Sequence, residues 1–196
     1  MKVVGLTGNS GCGKGAAASV MAEYGALILD CDKIAHENMM SWGEAYSDIV
    51  SAFGKEILNT EGEIDRKALG TVVFNDRSKL ELLNTIAHKY VVKKVEKSIE
   101  LNKGKKCIVI DAPLLIEAGL DKICDSIWAV YAPVETRIKR VMLRDNIDRE
   151  SAVLRFKNQM KFEDIEKIAD VVINNDGDME ELRKQVLKFM NDEELI

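Results

Sequence analysis

Residues 8–16 have the spacing of a loop that binds phosphate. The pattern G-x-x-x-x-G-K runs from Gly8 to Lys14, after a short apolar run and before a helical pattern. The backbone N–H groups of such a loop surround a nucleotide β-phosphate, the positive end of the helix points at it, and the lysine bridges the β- and γ-phosphates. The residues predicted to bind nucleotide are Gly8, Asn9, Ser10, Gly11, Cys12, Gly13, Lys14, Gly15 and Ala16.

One position departs from the usual motif, because Gly15 stands where a magnesium-binding Ser or Thr is expected. A dinucleotide-binding fold is the weaker alternative, since its G-x-G-x-x-G pattern would not specify a lysine at position 14. We therefore expect a nucleotide site of the phosphoryl-transfer type, with a modified metal shell.

Carboxylates follow two further apolar runs. Asp30 and Asp32 come after residues 26–29, and Asp111 comes after residues 107–110. If these runs are parallel strands, the carboxylates emerge at the sheet edge that carries the phosphate loop. Such an acid can accept a hydroxyl proton or hold magnesium through water, and Asp111 is placed like a Walker B acid. The alternative role is to cap a helix N-terminus. For Asp30 the capping role and the chemical role are about equally expected, whereas for Asp32 capping is less expected.

A basic segment follows the last of these carboxylates. Its cations are Arg137, Lys139, Arg140, Arg144, Arg149 and Arg155, on two predicted helices joined by a polar turn. Such a cluster is usually a solvated face. Arginines on a helical turn are also what a mobile lid needs to neutralise a phosphoryl group during transfer.

These groups require a scaffold, and short apolar runs predict it. The predicted strands are residues 3–6, 26–29, 107–110, 126–131 and 170–173. Helical patterns alternate with them, including residues 16–24, 78–101 and 134–143. The alternation predicts an α/β fold of the P-loop NTPase type, with a parallel five-stranded sheet flanked by helices.

The interval between the second and third strands is too long for a simple crossover. It has helical periodicity and one weak strand candidate, TVVF at residues 71–74. We expect a helical substrate-binding insertion at about 33–105 and a helical lid at about 134–159. The core would then comprise residues 1–32, 106–133 and 160–196.

Composition narrows the class of protein. The chain has 196 residues, enough for one domain with an inserted lobe, and 46% of them are hydrophobic. A net charge of −5 argues against general binding to nucleic acid. No apolar run is long enough to cross a bilayer, and the start MKVVGLTG leaves no room for a signal peptide, so we expect a cytoplasmic protein.

The four cysteines are widely spaced and form no C-x-x-C pair. This spacing favours reduced thiols over disulfides or a zinc site. Cys12 lies in the glycine loop near a helix N-terminus, where a thiolate would be stabilised, but a small buried side chain is the favoured interpretation.

Over nearly its whole length the chain resembles the dephospho-coenzyme A kinase family. The matching blocks are GLTGNSGCGK at 5–14, DCDKIAHE at 30–37, IDR-x-x-L at 64–69, VFND at 73–76, DAPLLIEAGL at 111–120, the R-x-x-R pairs from 137 to 144, Gln159, and INND at 173–176. The glycine loop is shared by many enzymes, whereas PLL-x-E-AGL together with the D-x-D block is far more specific.

The resemblance implies transfer of the ATP γ-phosphate to the ribose 3′-hydroxyl of dephospho-coenzyme A, with Mg²⁺. It implies that Asp32 is the general base, that Lys14 holds phosphates, and that Asp32 and Asp111 hold the metal through water. The residues implied for the lid and the adenine are Arg140, Arg144, Asn174 and Asn175. Those implied for the acceptor are Asp32, Arg66, His88, Leu114, Leu115 and Glu117. The implied partners are ATP and dephospho-coenzyme A, without nucleic acid or membrane, in a monomer or weak homo-oligomer.

Three residues depart from the family pattern. Gly15 and Ala16 replace hydroxyl residues of the metal and phosphate shell, and Lys89 follows His88 where the family usually has proline. We expect a weakened metal site in a working enzyme, because magnesium can fill a vacancy with water. The alternatives are another small-molecule or nucleoside monophosphate kinase and a nucleotide-binding regulator without turnover. A GTPase is less expected, since no N-K-x-D element is found.

Overall fold

The computed structural model describes residues 1–74, 76–157 and 159–196, with no description of the Phe74 side chain. Asn75, from the VFND block, and Asn158, from the predicted lid, lie outside the described residues. The chain divides into two compact units. The first comprises residues 1–29 and 102–196, and the second comprises residues 30–101, where the sequence predicts an insertion at 33–105.

The first unit is built on a sheet of five strands in the described part of the chain. The strands are β1 (Lys2–Thr7), β2 (Leu27–Asp30), β3 (Cys107–Asp111), β4 (Ser126–Tyr131) and β5 (Val171–Asn174). Their order is β2-β3-β1-β4-β5. β1 pairs in parallel with both β3 and β4, and β4 pairs in parallel with β5. The parallel α/β sheet predicted from the apolar runs is confirmed.

The α-helices of the described residues follow in chain order. They are α1 (Lys14–Glu23), α2 (Cys31–Met39), α3 (Tyr46–Phe53), α4 (Arg66–Phe74), α5 (Arg77–Leu101), α6 (Val134–Asp145), α7 (Arg149–Phe156), α8 (Phe162–Glu166) and α9 (Met179–Asp192). Helices α1 and α9 pack together, and α8 packs on β4. No described helix is long and apolar enough to cross a membrane.

The central strands carry nearly continuous apolar residues because helices cover both faces of the sheet. All five residues of β3 are buried, and Trp128 of β4 is fully buried in the main core. The Trp128 indole N–H donates to Ser126 Oγ at 3.1 Å and to Glu193 Oε1 at 3.0 Å, so its one polar atom is satisfied. The loops after these strands therefore start from a well-packed core.

The second unit has a core of its own, and one prediction fails there. TVVF at 71–74 is the end of helix α4, although its β-branched residues suggest a strand. Leu69 and Val73 are four residues apart and both buried, so they lie on one helical face against Ile49 and Ile57. Tertiary packing of that face overrides the local strand propensity.

Candidate active site

The glycine loop folds into the N-terminus of α1. Gly13 precedes the helix with φ 91°, and no side chain caps the first turn. A Cβ on Gly13 would lie 1.9 Å from Asn175 Nδ2, and a Cβ on Gly11 (φ 81°) would lie 2.6 Å from the Arg137 carbonyl oxygen. Side chains are therefore excluded at both positions, and the positive end of α1 has no side-chain cap.

Two side chains hold the loop at Cys12. Asn175, which is buried, donates from Nδ2 to the Cys12 carbonyl oxygen at 2.7 Å. Arg140 donates from Nη1 to the same oxygen at 3.4 Å. The resemblance implies an adenine contact near Asn174 and Asn175; the Asn175 amide is engaged with the loop, and the Asn174 side chain is exposed at the end of β5.

A second group of contacts fixes the start of the loop. Arg137 donates from Nε to the Ser10 carbonyl oxygen at 3.0 Å and from Nη2 to Gln159 Oε1 at 3.1 Å. Gln159 Oε1 also accepts the Ser10 N–H at 3.2 Å, and the Arg137 guanidinium lies 4.3 Å from the centre of the Phe156 ring. Burial lowers the pKa of Arg137.

Sequence reasoning placed Arg137 on a solvated or lid face and did not find this role. Its burial follows from α6, where Arg137, Ile138 and Val141 share the inward side. The signal in the sequence was the position of Arg137 within the apolar stripe of that helix.

Lys14 and Asp111 meet at the mouth of the loop. The Lys14 ammonium pairs with Asp111 Oδ1, and both side chains are largely buried. Asp111 ends β3 and Lys14 begins α1, so the neighbouring parallel strands bring the pair together. The predicted proximity of the phosphate loop to the acid after the third strand is therefore found in the structure.

Magnesium fits this place with few protein ligands. Asp111 offers a carboxylate, and a Cβ built on Gly15 meets nothing within 4 Å, so water has room where a hydroxyl is usual. Among the described residues no cluster of three or more His, Cys, Asp or Glu could hold a metal. With so few protein ligands, water and nucleotide oxygens would supply the rest of the magnesium shell.

The two aspartates after β2 have different surroundings. Asp30 caps α2, accepting the Lys33 N–H at 2.9 Å, as the alternative interpretation of the sequence allowed. Asp32 lies in the first turn of α2 with an exposed side chain and does not cap the helix. Its predicted roles as base and metal ligand stay predictions.

The predicted lid is a helical hairpin of α6 and α7 with a small core. Arg144 binds Asp145 through two bonds of 2.8 and 2.9 Å, and Arg155 pairs with the same carboxylate. The hydrogen bonds from Arg144, together with the charges of both arginines, lower the pKa of Asp145 to about 2. These two bonds use one edge of the Arg144 guanidinium, through Nε and Nη2.

Three residues of the block after β3 were predicted to contact the acceptor substrate, and two of them are exposed. The side chains of Leu114 and Glu117 are exposed. Leu115, also predicted to contact substrate, is fully buried and fills the space that Gly5 leaves, where a Cβ would lie 2.7 Å from Leu115 Cδ2. Leu115 therefore supports the block from the core.

The remaining acceptor candidates belong to the second unit. Arg66 begins α4 with an exposed side chain, and His88 is half-buried in α5. Lys89 is exposed and pairs with Asp48 at 3.4 Å. The replacement of proline by Lys89 is thus accommodated inside a continuous helix.

Cys12 behaves as the favoured interpretation predicted. Its side chain is buried, and burial raises the pKa of the thiol despite the nearby Lys14. Cys12 is therefore a small side chain of the core.

A parallel sheet in the order 2-3-1-4-5, with a phosphate loop between β1 and α1 and a lysine paired to the acid of β3, defines a kinase of the P-loop fold. Comparison with known proteins narrows the class. The family model for dephospho-CoA kinase matches residues 2–181, and the chain belongs to that family.

Relatives and solved structures agree with this assignment. The dephospho-CoA kinase of Carboxydothermus hydrogenoformans is 40% identical over 97% of this chain and 93% of its own. TT1252 from Thermus thermophilus has a TM-score of 0.85 at 29% identity, covering 98% of this chain and 97% of its own. The dephospho-CoA kinase of Campylobacter jejuni has a TM-score of 0.72 at 28% identity, covering 97% and 96%.

Proposed function

We propose that this protein transfers the γ-phosphoryl group of ATP to the ribose 3′-hydroxyl of dephospho-coenzyme A, giving coenzyme A and ADP. The observation that carries the proposal is the Lys14–Asp111 pair at the uncapped N-terminus of α1, in a chain of the dephospho-CoA kinase family. Lysine, backbone N–H groups and a helix N-terminus are the groups that hold nucleotide phosphates in such enzymes.

The reaction exchanges one bond for another. The 3′-oxygen forms a bond to the γ-phosphorus while the bond from that phosphorus to the β–γ bridging oxygen breaks. Asp32 accepts the proton of the attacking hydroxyl, and ADP leaves. The protein contributes alignment and positive charge more than covalent chemistry.

Three cationic side chains would bind the phosphates of ATP. Lys14 would turn from Asp111 to the β- and γ-phosphates when ATP binds. Arg140 already lies on the loop at Cys12. Arg144 would bind phosphate through the N–H groups that its bonds to Asp145 leave free. Bound magnesium would offset charge on the same phosphates, held by Asp111 and Asp32 through water.

The test is ADP release in the presence of ATP and magnesium, with and without dephospho-coenzyme A. Adenosine and AMP serve as control acceptors, because they carry a ribose without the pantetheine arm. We expect release that depends on dephospho-coenzyme A, with coenzyme A confirmed as the product. Release stimulated only by a control acceptor would indicate another small-molecule kinase, and ATP binding without any release would indicate a regulator.

A further inference from the structure

The side chain of Asn9 carries a buried hydrogen-bond acceptor that the loop does not use. Asn9 is only 8% exposed, and its Nδ2 donates to the Met160 carbonyl oxygen at 2.8 Å. Its Oδ1 is buried and has no partner among the described residues. The bond to Met160 fixes the amide, because turning it would bring two carbonyl oxygens together. A buried acceptor of this kind requires a donor from outside the chain.

Asn9 lines a cavity of about 30 Å³ beside the block that follows β3. Thr7, Leu114, Ile116 and Glu117 also line it. A volume of this size admits a group as large as one or two water molecules, such as a hydroxyl. Asn9 also borders a wider cavity of about 280 Å³ next to Arg137.

The small cavity lies where a reaction partner is expected. Its walls follow the carboxyl ends of β1 and β3, and ligands of open parallel sheets bind beyond those ends. The same two strands lead into Lys14 and Asp111, which pair at the phosphate loop. The cavity therefore lies at the same ends of β1 and β3 from which Lys14 and Asp111 follow.

We propose that Asn9 Oδ1 accepts a hydrogen bond from the ribose 2′-hydroxyl of the acceptor, and so acts as a positioning residue for the neighbouring 3′-oxygen. This inference rests on the function proposed above. An amide oxygen is uncharged and only accepts, so it selects an O–H or N–H group. The 2′-hydroxyl is a small O–H group next to the reacting 3′-oxygen, and a group of its size fits the volume.

The test compares dephospho-coenzyme A with its 2′-deoxy analogue in the wild-type protein and in Asn9→Ala. We expect the wild type to prefer the natural acceptor by about 5- to 100-fold in kcat/KM, because the analogue leaves Oδ1 unpaired. In Asn9→Ala this preference should fall below about 3-fold, since the acceptor oxygen is gone. The substitution should lower kcat/KM more for the natural acceptor than for the 2′-deoxy analogue.

Asn175→Ala is the matched control, because it loosens the loop at Cys12 and Asn175 lines neither cavity. It should slow both acceptors alike and keep the preference for the hydroxyl. A wild type that uses the two acceptors equally overturns the inference, as does an Asn9→Ala protein that keeps the full preference. Failure of the wild type to phosphorylate dephospho-coenzyme A at all would instead remove the proposed function.

Discussion

Asp30 and Asp32 are two residues apart and have separate roles. The Asp30 side chain accepts a hydrogen bond from the Lys33 N–H at the start of α2, and this bond stabilises the helix. Asp32 stands in the same turn, is exposed and does not cap the helix. Substitutions at the two positions can therefore separate a structural carboxylate from one that takes part in the proposed reaction.

Asp32→Asn should lower kcat by about 10²- to 10⁴-fold and leave the ATP dissociation constant near that of the wild type, because it removes the proton acceptor and, at the metal, only a contact through water. Steady-state kinetics and ATP titration measure the two effects. Asp30→Asn is the control, since asparagine also caps helices, and it should keep turnover within about 3-fold. An Asp32→Asn enzyme with most of its turnover would exclude Asp32 as the base.

Gly15→Ser should lower the magnesium concentration needed for half-maximal activity by about 3- to 10-fold, the effect of one added oxygen ligand or hydrogen bond. The structure has room for the side chain, because a Cβ at Gly15 meets nothing within 4 Å. Gly15→Ala gives the same backbone change without the hydroxyl and should leave the magnesium dependence unaltered. An identical magnesium titration for both variants would mean that Gly15 does not weaken the metal site.

At the scale of elements, the phosphate loop is held from two sides. Asn175, after β5, anchors its second half at Cys12, while Arg137, from α6, anchors its start at Ser10. Glycines in the loop let the backbone approach Asn175 and Arg137 closely. Glycine also leaves the backbone flexible, and the hydrogen bonds to these two side chains restrict that flexibility.

Asn175→Ala should reduce the free energy of unfolding by about 1 to 3 kcal/mol, because the Cys12 carbonyl oxygen loses its buried donor. It should also raise the KM for ATP, since the loop is less ordered. Denaturant unfolding and kinetics measure these changes.

Asn174→Ala is the neighbouring control. The Asn174 backbone exchanges hydrogen bonds with Gln185 at 3.0 and 2.8 Å, and its side chain is exposed. The variant should alter stability by less than about 0.5 kcal/mol. Equal destabilisation by both substitutions would contradict the anchoring role of Asn175.

Strands and helices were predictable where burial produces a regular pattern of apolar residues along the sequence. Strands β1 and β3 follow directly from apolar runs at residues 3–6 and 107–110, because both faces of the sheet are covered. TVVF failed because four residues cannot distinguish a strand from the buried face of a helix.

The candidate site was predictable where a motif fixes the backbone, as at Lys14. The apolar stripe of α6 indicates that Arg137 is buried but not what it binds, because only folding brings it to Ser10 and Gln159. The placement of the Asn9 amide has the same origin, since its Nδ2 donates to the Met160 carbonyl oxygen, 151 residues further along the chain. Long-range hydrogen bonds leave no periodic signal in a single sequence.

At the scale of the whole molecule, each unit has its own apolar core, and the thiols of the first unit belong to its interior. Burial raises the pKa of Cys107 to about 11 and, with nearby Asp121 and Asp125, that of Cys124 to about 12. These thiols stay protonated in the folded protein at neutral pH, which makes them poor nucleophiles.

The raised pKa of Cys107 predicts a loss of stability in alkali. Below pH 9 the thiol is neutral in both states, and above pH 9 only the unfolded chain loses the proton, until the folded thiol also ionises near pH 11. Stability should therefore fall between pH 9 and 11. In Cys107→Ala the melting temperature should fall less steeply over that interval, and a slope equal to that of the wild type would contradict the prediction.

The most direct test of the proposed activity is the position of the new phosphate in the product of the wild-type reaction. The protein is incubated with ATP, magnesium and dephospho-coenzyme A, and the product is examined by phosphorus–proton correlation NMR. We predict that the phosphate couples to the ribose 3′-proton, as in coenzyme A. A phosphate on the 2′-oxygen or elsewhere, or no phosphorylated acceptor, would contradict the account.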